Sequence, residues 1–163
     1  LKTHNRVVIT AGVKNMVMGA PLVKSNDRAS GKHYKSRMHS GGERFLHLNM
    51  FLVGQRVRPD FTIIDGVEGM EGNGPADGTP VNHRIALAGE DVLAVDSMCT
   101  RLMGIPLEDV GYLNYMAAAG LGNVDRAKID IIGSEAPEKH IIKYKLHDTI
   151  ETQLQWKDPL KLQ

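Results

Sequence analysis

Asp65, Glu68 and Glu71 fall at every third residue of one short stretch, DGVEGMEGNGPADGTP (residues 65–80), that directly follows the apolar run FTII. Five of its sixteen residues are Gly, four are acidic and none is basic. Carboxylates this dense can converge on a hard divalent metal ion, or divide the work of general acid and general base. Gly66 and Gly74 let the backbone approach a ligand closely, and Asn73 adds a polar contact. Gly and Asp are also common turn formers, so a solvated surface turn accounts for the same composition. The stretch is neither a dinucleotide fingerprint nor a phosphate loop. Its spacing is G-x-G-x-x-x-G, Pro75 removes an amide, and it holds no Lys.

A second set lies near the start of the chain. Lys2, His4, Lys14 and Asn15 interrupt otherwise apolar sequence in LKTH and VKNMVM. Lys and His there can orient an anion or move a proton. A frayed terminus (Lys2, His4) and a lysine stem lying along apolar surface (Lys14) are the blander and better-supported account on composition alone. Residues 24–41 gather Lys24, Arg28, Lys32, Lys35, Arg37, His33 and His39 against the single acid Asp27. That loop suits an anionic ligand or nucleic-acid phosphates, or simply a solvated surface. Tyr34 is its one aromatic, which is poor support for base stacking.

Asp96 lies among apolar neighbours in the helical stretch that begins at Asp91. If buried, its carboxyl would titrate high; on an exposed face it would be ordinary. The seven histidines form no H-x-x-x-H or H-E-x-x-H pair. Cys99 is the one cysteine and falls on an apolar helix face, as a buried structural thiol does. It cannot make an internal disulfide or by itself hold an iron–sulfur cluster, and a reducing, cytoplasmic setting is the simpler reading.

The elements that would position these groups follow from periodicity. At 163 residues, with 42% hydrophobic and 24% charged residues, the chain suits one soluble domain with a real core. Its net charge of +1 gives nucleic-acid binding no support, and no apolar run is long enough to span a membrane. Residues 6–19 mix strand-favouring Val7, Val8, Ile9 and Thr10 with a helical VKNMVM. Residues 22–42 read as a long loop. Residues 43–57 predict a helix with Phe45, Leu48 and Leu52 on one stripe and Leu46, Met50, Val53 and Val57 beside it. FTIID (61–65) predicts a short buried strand and RIALAG (84–89) another. Residues 91–104 predict an amphipathic helix opened by Asp91 and closed by Gly104. A further helix runs from Pro106 to Gly120, and KIDIIG (128–133) and HIIKYK (140–145) predict two more strands. The tail, residues 146–163, is polar. Strands alternating with helices predict an α/β fold, its sheet mainly parallel or mixed and flanked by helices. In such sheets ligands bind beyond the carboxyl ends of strands, where the Gly-rich loop lies.

The same motifs, taken in order, resemble the domain-of-unknown-function family three-six-two. LKTH (1–4) is similar to its Lys-x-His stretch and VKNMVMG (13–19) to its Lys-Asn-x-x-x-Gly stretch. PDFTIIDGVEGMEGNGP (59–75) is similar to its strand-plus-loop signature, and AGEDVLAVDSMCTRLMG (88–104) to its helix with paired aspartates. AAGLG (118–122) and IDIIG (129–133) follow in place, so the resemblance covers about 1–135. It implies that Lys2, His4, Lys14, Asn15, Asp65, Glu68, Glu71, Asn73, Asp91 and Asp96 matter, without assigning roles. The family has no settled reaction, and many members carry or adjoin iron–sulfur domains. Members normally have an α/β segment before the Lys-x-His stretch, which, with the opening at Leu1, implies a C-terminal fragment of a longer protein.

The leading expectation is a small-ligand or metal site at loop 65–80. Lys2, His4, Lys14 and Asp65 would be catalytic, Asn15, Gly66, Asn73, Gly74 and Asp96 ligand-binding, and Asp65, Glu68 and Glu71 would hold a divalent cation. The alternative is a scaffold or redox accessory domain that docks the missing segment or a redox partner and leaves any cluster to the rest of the protein.

Overall fold

β-branched residues open the chain as two short strands, β1 (Lys2–His4) and β2 (Val8–Thr10), paired antiparallel with His4 opposite Val8. The computed structural model describes residues 1–21, 34–133 and 135–159. Lys24, Asp27, Arg28, Lys32 and His33 of the basic stretch therefore lie outside the described residues. Helix α1 (Gly12–Gly19) follows β2, and α2 (Tyr34–Arg37) is one turn within what reads as loop. Helix α3 spans Glu43–Gly54. Four more strands follow: β3 (Thr62–Gly66), β4 (Gly69–Glu71), β5 (Thr79–Val81) and β6 (Ile85–Gly89). Then come α4 (Val92–Leu102), α5 (Gly111–Ala118) and a single turn, α6 (Ile150–Gln153).

The fold is α/β with mixed pairing. One sheet has the order β2-β1-β4-β5, and β3 with β6 forms a separate antiparallel pair. Only β1 and β4 run parallel among the described strands. A mainly parallel sheet needs helical crossovers; here β3 to β6 follow one another through short turns, which favour antiparallel neighbours.

Helix α4 is the centre of the molecule. Val92, Leu93, Val95, Met98, Cys99 and Leu102 are all buried, and so are Asp96, Ser97 and Thr100. A helix buried on every side must satisfy its polar groups internally. Ser97 and Thr100 do so by donating to carbonyls of the preceding turn, Ala94 O and Asp96 O. Asp91 caps its start, its Oδ1 accepting from the Leu93 and Ala94 amides. Gly104, at φ +63°, turns the chain just beyond its end.

Several sequence expectations change here. On α3 the buried face is Leu46, His47, Met50 and Gly54, while Phe45 and Leu52 are half exposed. Gly54 lies against Met116 and Val17, and that contact selects one of two interleaved apolar stripes. Strand β3 is half-buried rather than buried: Ile64 faces the core, and Ile63 is 73% exposed on the same side as Asp65. Residues 129–133 and 141–147 form no strand. The second of these runs past the end of α4, where the Ile142 and Tyr144 amides donate to Leu102 O and Met103 O. A further backbone partner is Gly72, whose amide donates to Lys145 O, so its bonds are divided between a helix end and a loop and build no ladder. As far as residue 159 the tail makes short helical turns, yet it is anchored, with Gln153 fully buried and Trp156 against His47 and Tyr115.

Candidate functional site

Lys2 and His4, two residues apart on β1, project to the same side of the strand. His4 is buried, and its Nδ1 accepts a hydrogen bond from the Arg6 amide at 3.0 Å. In the neutral ring the proton is therefore on Nε2. Burial, and then the positive fields of Lys14, His39, Lys2 and His147, push its pKa down to about 3. His4 is an uncharged imidazole at neutral pH.

Lys14 sits on α1, half-buried. Its pKa falls to about 8, first because of burial and then because of the positive charges of Lys35 and Lys2. Among the described residues no carboxylate pairs with Lys14 or Lys2; Lys2 Nζ reaches only Pro75 O, at 3.4 Å. Arg6 nearby is different, since its guanidinium is taken up by Glu43 at 2.8 Å and by His39 O at 3.1 Å. The result is a concentration of positive charge, with Lys2 and Lys14 beside a neutral His4 and Lys35 beside Lys14, and with no carboxylate paired to Lys2 or Lys14 among the described residues.

The hairpin that carries His4 is strained and clamped. Val8, the cross-strand neighbour of His4, has φ +69°, which a β-branched side chain disfavours by roughly 1–3 kcal/mol. Gln153 holds it there. The Val8 amide donates to Gln153 Oε1 at 2.7 Å, and Gln153 Nε2 donates to His4 O at 2.9 Å. The sequence offered no sign of this. The apolar Ile150, Leu154 and Trp156 in the tail were the signal that it would dock.

The Gly-rich loop packs onto this same strand, but its acids turn elsewhere. Thr3 Oγ1 donates to Gly72 O at 2.9 Å, and a Cβ on Gly74 would lie 2.3 Å from Thr3 O. A Cβ on Gly66 would meet Leu1 and Ile85 at 2.6 and 2.8 Å. Both glycines serve packing of backbone on backbone or side chain. Asp65 Oδ1 accepts from the Val67 amide at 2.9 Å, closing the turn into β4. Glu71 accepts from the Lys145 amide at 2.7 Å, and Asn73 makes two hydrogen bonds with Asp148. Glu68 is exposed. Among the described residues no three of His, Cys, Asp and Glu are gathered closely enough to hold a metal ion. Asp65 and Glu71 are each taken up by a different backbone amide, Val67 and Lys145, rather than turned toward one another.

Asp96 is fully buried and belongs to α1's foundation. Its Oδ1 and Oδ2 accept from the Gly12 and Val13 amides at 2.8 and 2.9 Å, so a side chain of α4 caps the helix that carries Lys14. Burial raises its pKa to about 7, against the lowering effect of those two hydrogen bonds. Asn15 is exposed one residue beyond Lys14. Asp91, besides capping α4, accepts from the Asn123 amide at 2.7 Å. It borders an open cleft of about 600 Å³ with Arg56, Arg58 and Glu90, and that cleft includes none of Lys2, His4 and Lys14. Cys99 is buried, its thiol pushed up by burial, and is not a ligand in this setting.

The α/β fold thus places Lys2 and Lys14 beside a neutral His4, with no carboxylate paired to either lysine among the described residues. The chain belongs to the family described as domain of unknown function (DUF362), whose model matches residues 1–101. All of Lys2, His4, Lys14, Asp65, Asp91 and Asp96 fall inside the matched part. A relative, the thylakoid-associated protein sll1697 of Synechocystis sp. (strain ATCC 27184 / PCC 6803 / Kazusa), is 28% identical over 153 residues. That alignment takes in 92% of this chain and 44% of the relative, so the chain spans less than half of the relative's length. No solved structure gives a significant match. Among the described residues no helix is long and apolar enough to cross a membrane.

Proposed function

We propose that the chain binds a small molecule bearing a phosphate or carboxylate at Lys2 and Lys14, with His4 as a neutral hydrogen-bond donor beside it. The observation that carries this reading is the half-buried Lys14 ammonium, surrounded by other cations and paired with no carboxylate among the described residues. Burying a charge without a partner is costly, and a bound anion repays it. A lysine that titrates near pH 8 also exchanges protons at physiological pH, which an ordinary lysine does not. The site thus lies beside the Gly-rich loop, and the acids of that loop serve architecture.

Calorimetric titration with pyrophosphate, and separately with citrate, tests the reading. Lys14→Met should weaken binding at least tenfold. Raising the pH from 7 to 9.5 should weaken it in the parent, because the Lys14 ammonium is lost above about 8. Asp65→Asn should leave affinity unchanged. If neither anion binds, or if binding survives Lys14→Met, the site is elsewhere.

A second reading rests on a separate observation. Phe61, Ile63 and Val67 are exposed along the outer side of β3, and the relative is more than twice as long as the part this chain matches. That supports an accessory domain whose β3 face is covered by a further part of a longer protein. Any cluster-bearing segment would lie there, since Cys99 is buried and alone. The free buried thiol fits the reducing compartment proposed for the chain. An apolar dye that fluoresces on binding this chain, and is excluded when the longer protein is used, would support it.

A further inference from the structure

A second cleft, of about 350 Å³, opens where the end of α4 meets residues 104–106 and 137–141. Its size is within the range that holds small organic ligands. Met98, Leu102, Ile105, Pro106 and Ile141 give it apolar walls. It holds three charged side chains, Arg101, Arg126 and Glu138. Glu138 pairs with Arg126 at 3.1 Å, so those two charges cancel. Arg101 remains. Its guanidinium donates to Val124 O at 3.1 Å, its Nε is buried with no acceptor, and no carboxylate pairs with it among the described residues. An arginine in this position is a rigid fork whose donors match a carboxylate.

We propose that this cleft binds a small carboxylic acid with an apolar body, the carboxylate seated on Arg101 and the body lying between Met98, Ile105 and Ile141. The charge balance selects the head group: the cleft carries one uncompensated positive charge and no free acid. The walls select the rest of the molecule, because a fully polar anion would leave five apolar side chains against water. The site is distinct from the Lys2–His4–Lys14 cluster, with which it shares no residue.

The test is amide chemical-shift mapping on the full chain, titrated with octanoate and with 3-phenylpropionate, and with octanol as the uncharged control. The expected result is a set of shifts confined to residues 98–106, 124–126 and 137–141, with octanol at least tenfold weaker than octanoate. Arg101→Met, which keeps the apolar stem, should weaken both acids at least tenfold. Ile141→Glu sets a like charge on the rim without touching α4 and should weaken them as well, which decides the matter if Arg101→Met does not fold. No shifts with either acid, shifts elsewhere, equal binding of octanol, or unchanged affinity in Ile141→Glu would overturn the proposal.

Discussion

Lys14, proposed to hold the anion, should differ from a structural residue in its effect on stability. Its pKa is depressed by burial and by like charges, so the unfolded chain holds the proton more tightly than the folded one between about pH 8 and 10.5. Stability contributed by this group therefore rises as pH climbs through that window, and at pH 7 the folded state bears the full strain of the ammonium. Lys14→Met removes the charge and keeps the stem. The variant should be more stable at pH 7, by up to about 1 kcal/mol, a figure kept small because part of the side chain remains in water. The advantage should vanish by about pH 10.5. Urea titrations at the two pH values check this, and a less stable variant at pH 7 would mean that the charge is compensated. A gain in stability with a loss of anion binding is the mark of a residue kept for function.

At the scale of elements, the sequence was most legible where local chemistry decides the outcome. Asp91 as a cap, Gly104 and Gly120 as helix ends, and Val92, Val95, Cys99 and Leu102 as one face of α4 were all readable from spacing. Lys2, His4 and Lys14 were readable as candidates because polar groups break apolar runs. What failed was whatever depends on distant partners. HIIKYK has strand composition but meets the end of a helix, and the acids of loop 65–80 meet amides from Val67 and Lys145 rather than each other. Gln153 is the extreme case. It is more than 140 residues from the hairpin it clamps, and no local pattern announces it. Gln153→Ala leaves the Val8 amide and His4 carbonyl unpaired in a buried place, at about 1–3 kcal/mol for each group. With Val8 already strained, the hairpin should loosen first. Hydrogen exchange should rise at Val8 and Ile9 ahead of α4, and global stability should fall by about 2–4 kcal/mol. Protection at Val8 that matches the parent would show that the backbone geometry stands without the clamp.

Across the whole molecule, three buried groups oppose one another in their response to acid. His4 and His47 each fall from 6.5 to about 3, chiefly through burial. At pH 5 the unfolded chain binds both of these protons and the folded chain binds neither, so stability is full above about 6.5 and is lost as pH falls toward 3. Asp96 acts in the other direction. Its pKa rises from 3.8 to about 7, so near pH 5 the folded chain holds a proton that the unfolded chain has released. Two protons therefore favour unfolding on acidification and one resists it, and His83, lowered chiefly by burial, adds in the direction of the two histidines. The net slope near pH 5 should be at least one proton, about 1.4 kcal/mol of stability lost for each pH unit downward. Asp96→Asn removes the opposing group. At the acid end of the range the variant is less stable, because an amide offers one oxygen where Gly12 and Val13 need two acceptors, at a cost of about 1–3 kcal/mol; the deficit shrinks as pH rises, because the parent alone must then charge a buried carboxyl. Its slope near pH 5 should be steeper than the parent's by up to one proton, about 1.4 kcal/mol per pH unit. Denaturant midpoints between pH 4.5 and 6 separate the two effects, since the lost hydrogen bond shifts every point equally and the lost titration changes the gradient. An unchanged gradient would mean that Asp96 is already ionised at pH 4.5 inside the fold, and that the two α1 amides alone are enough to hold its charge.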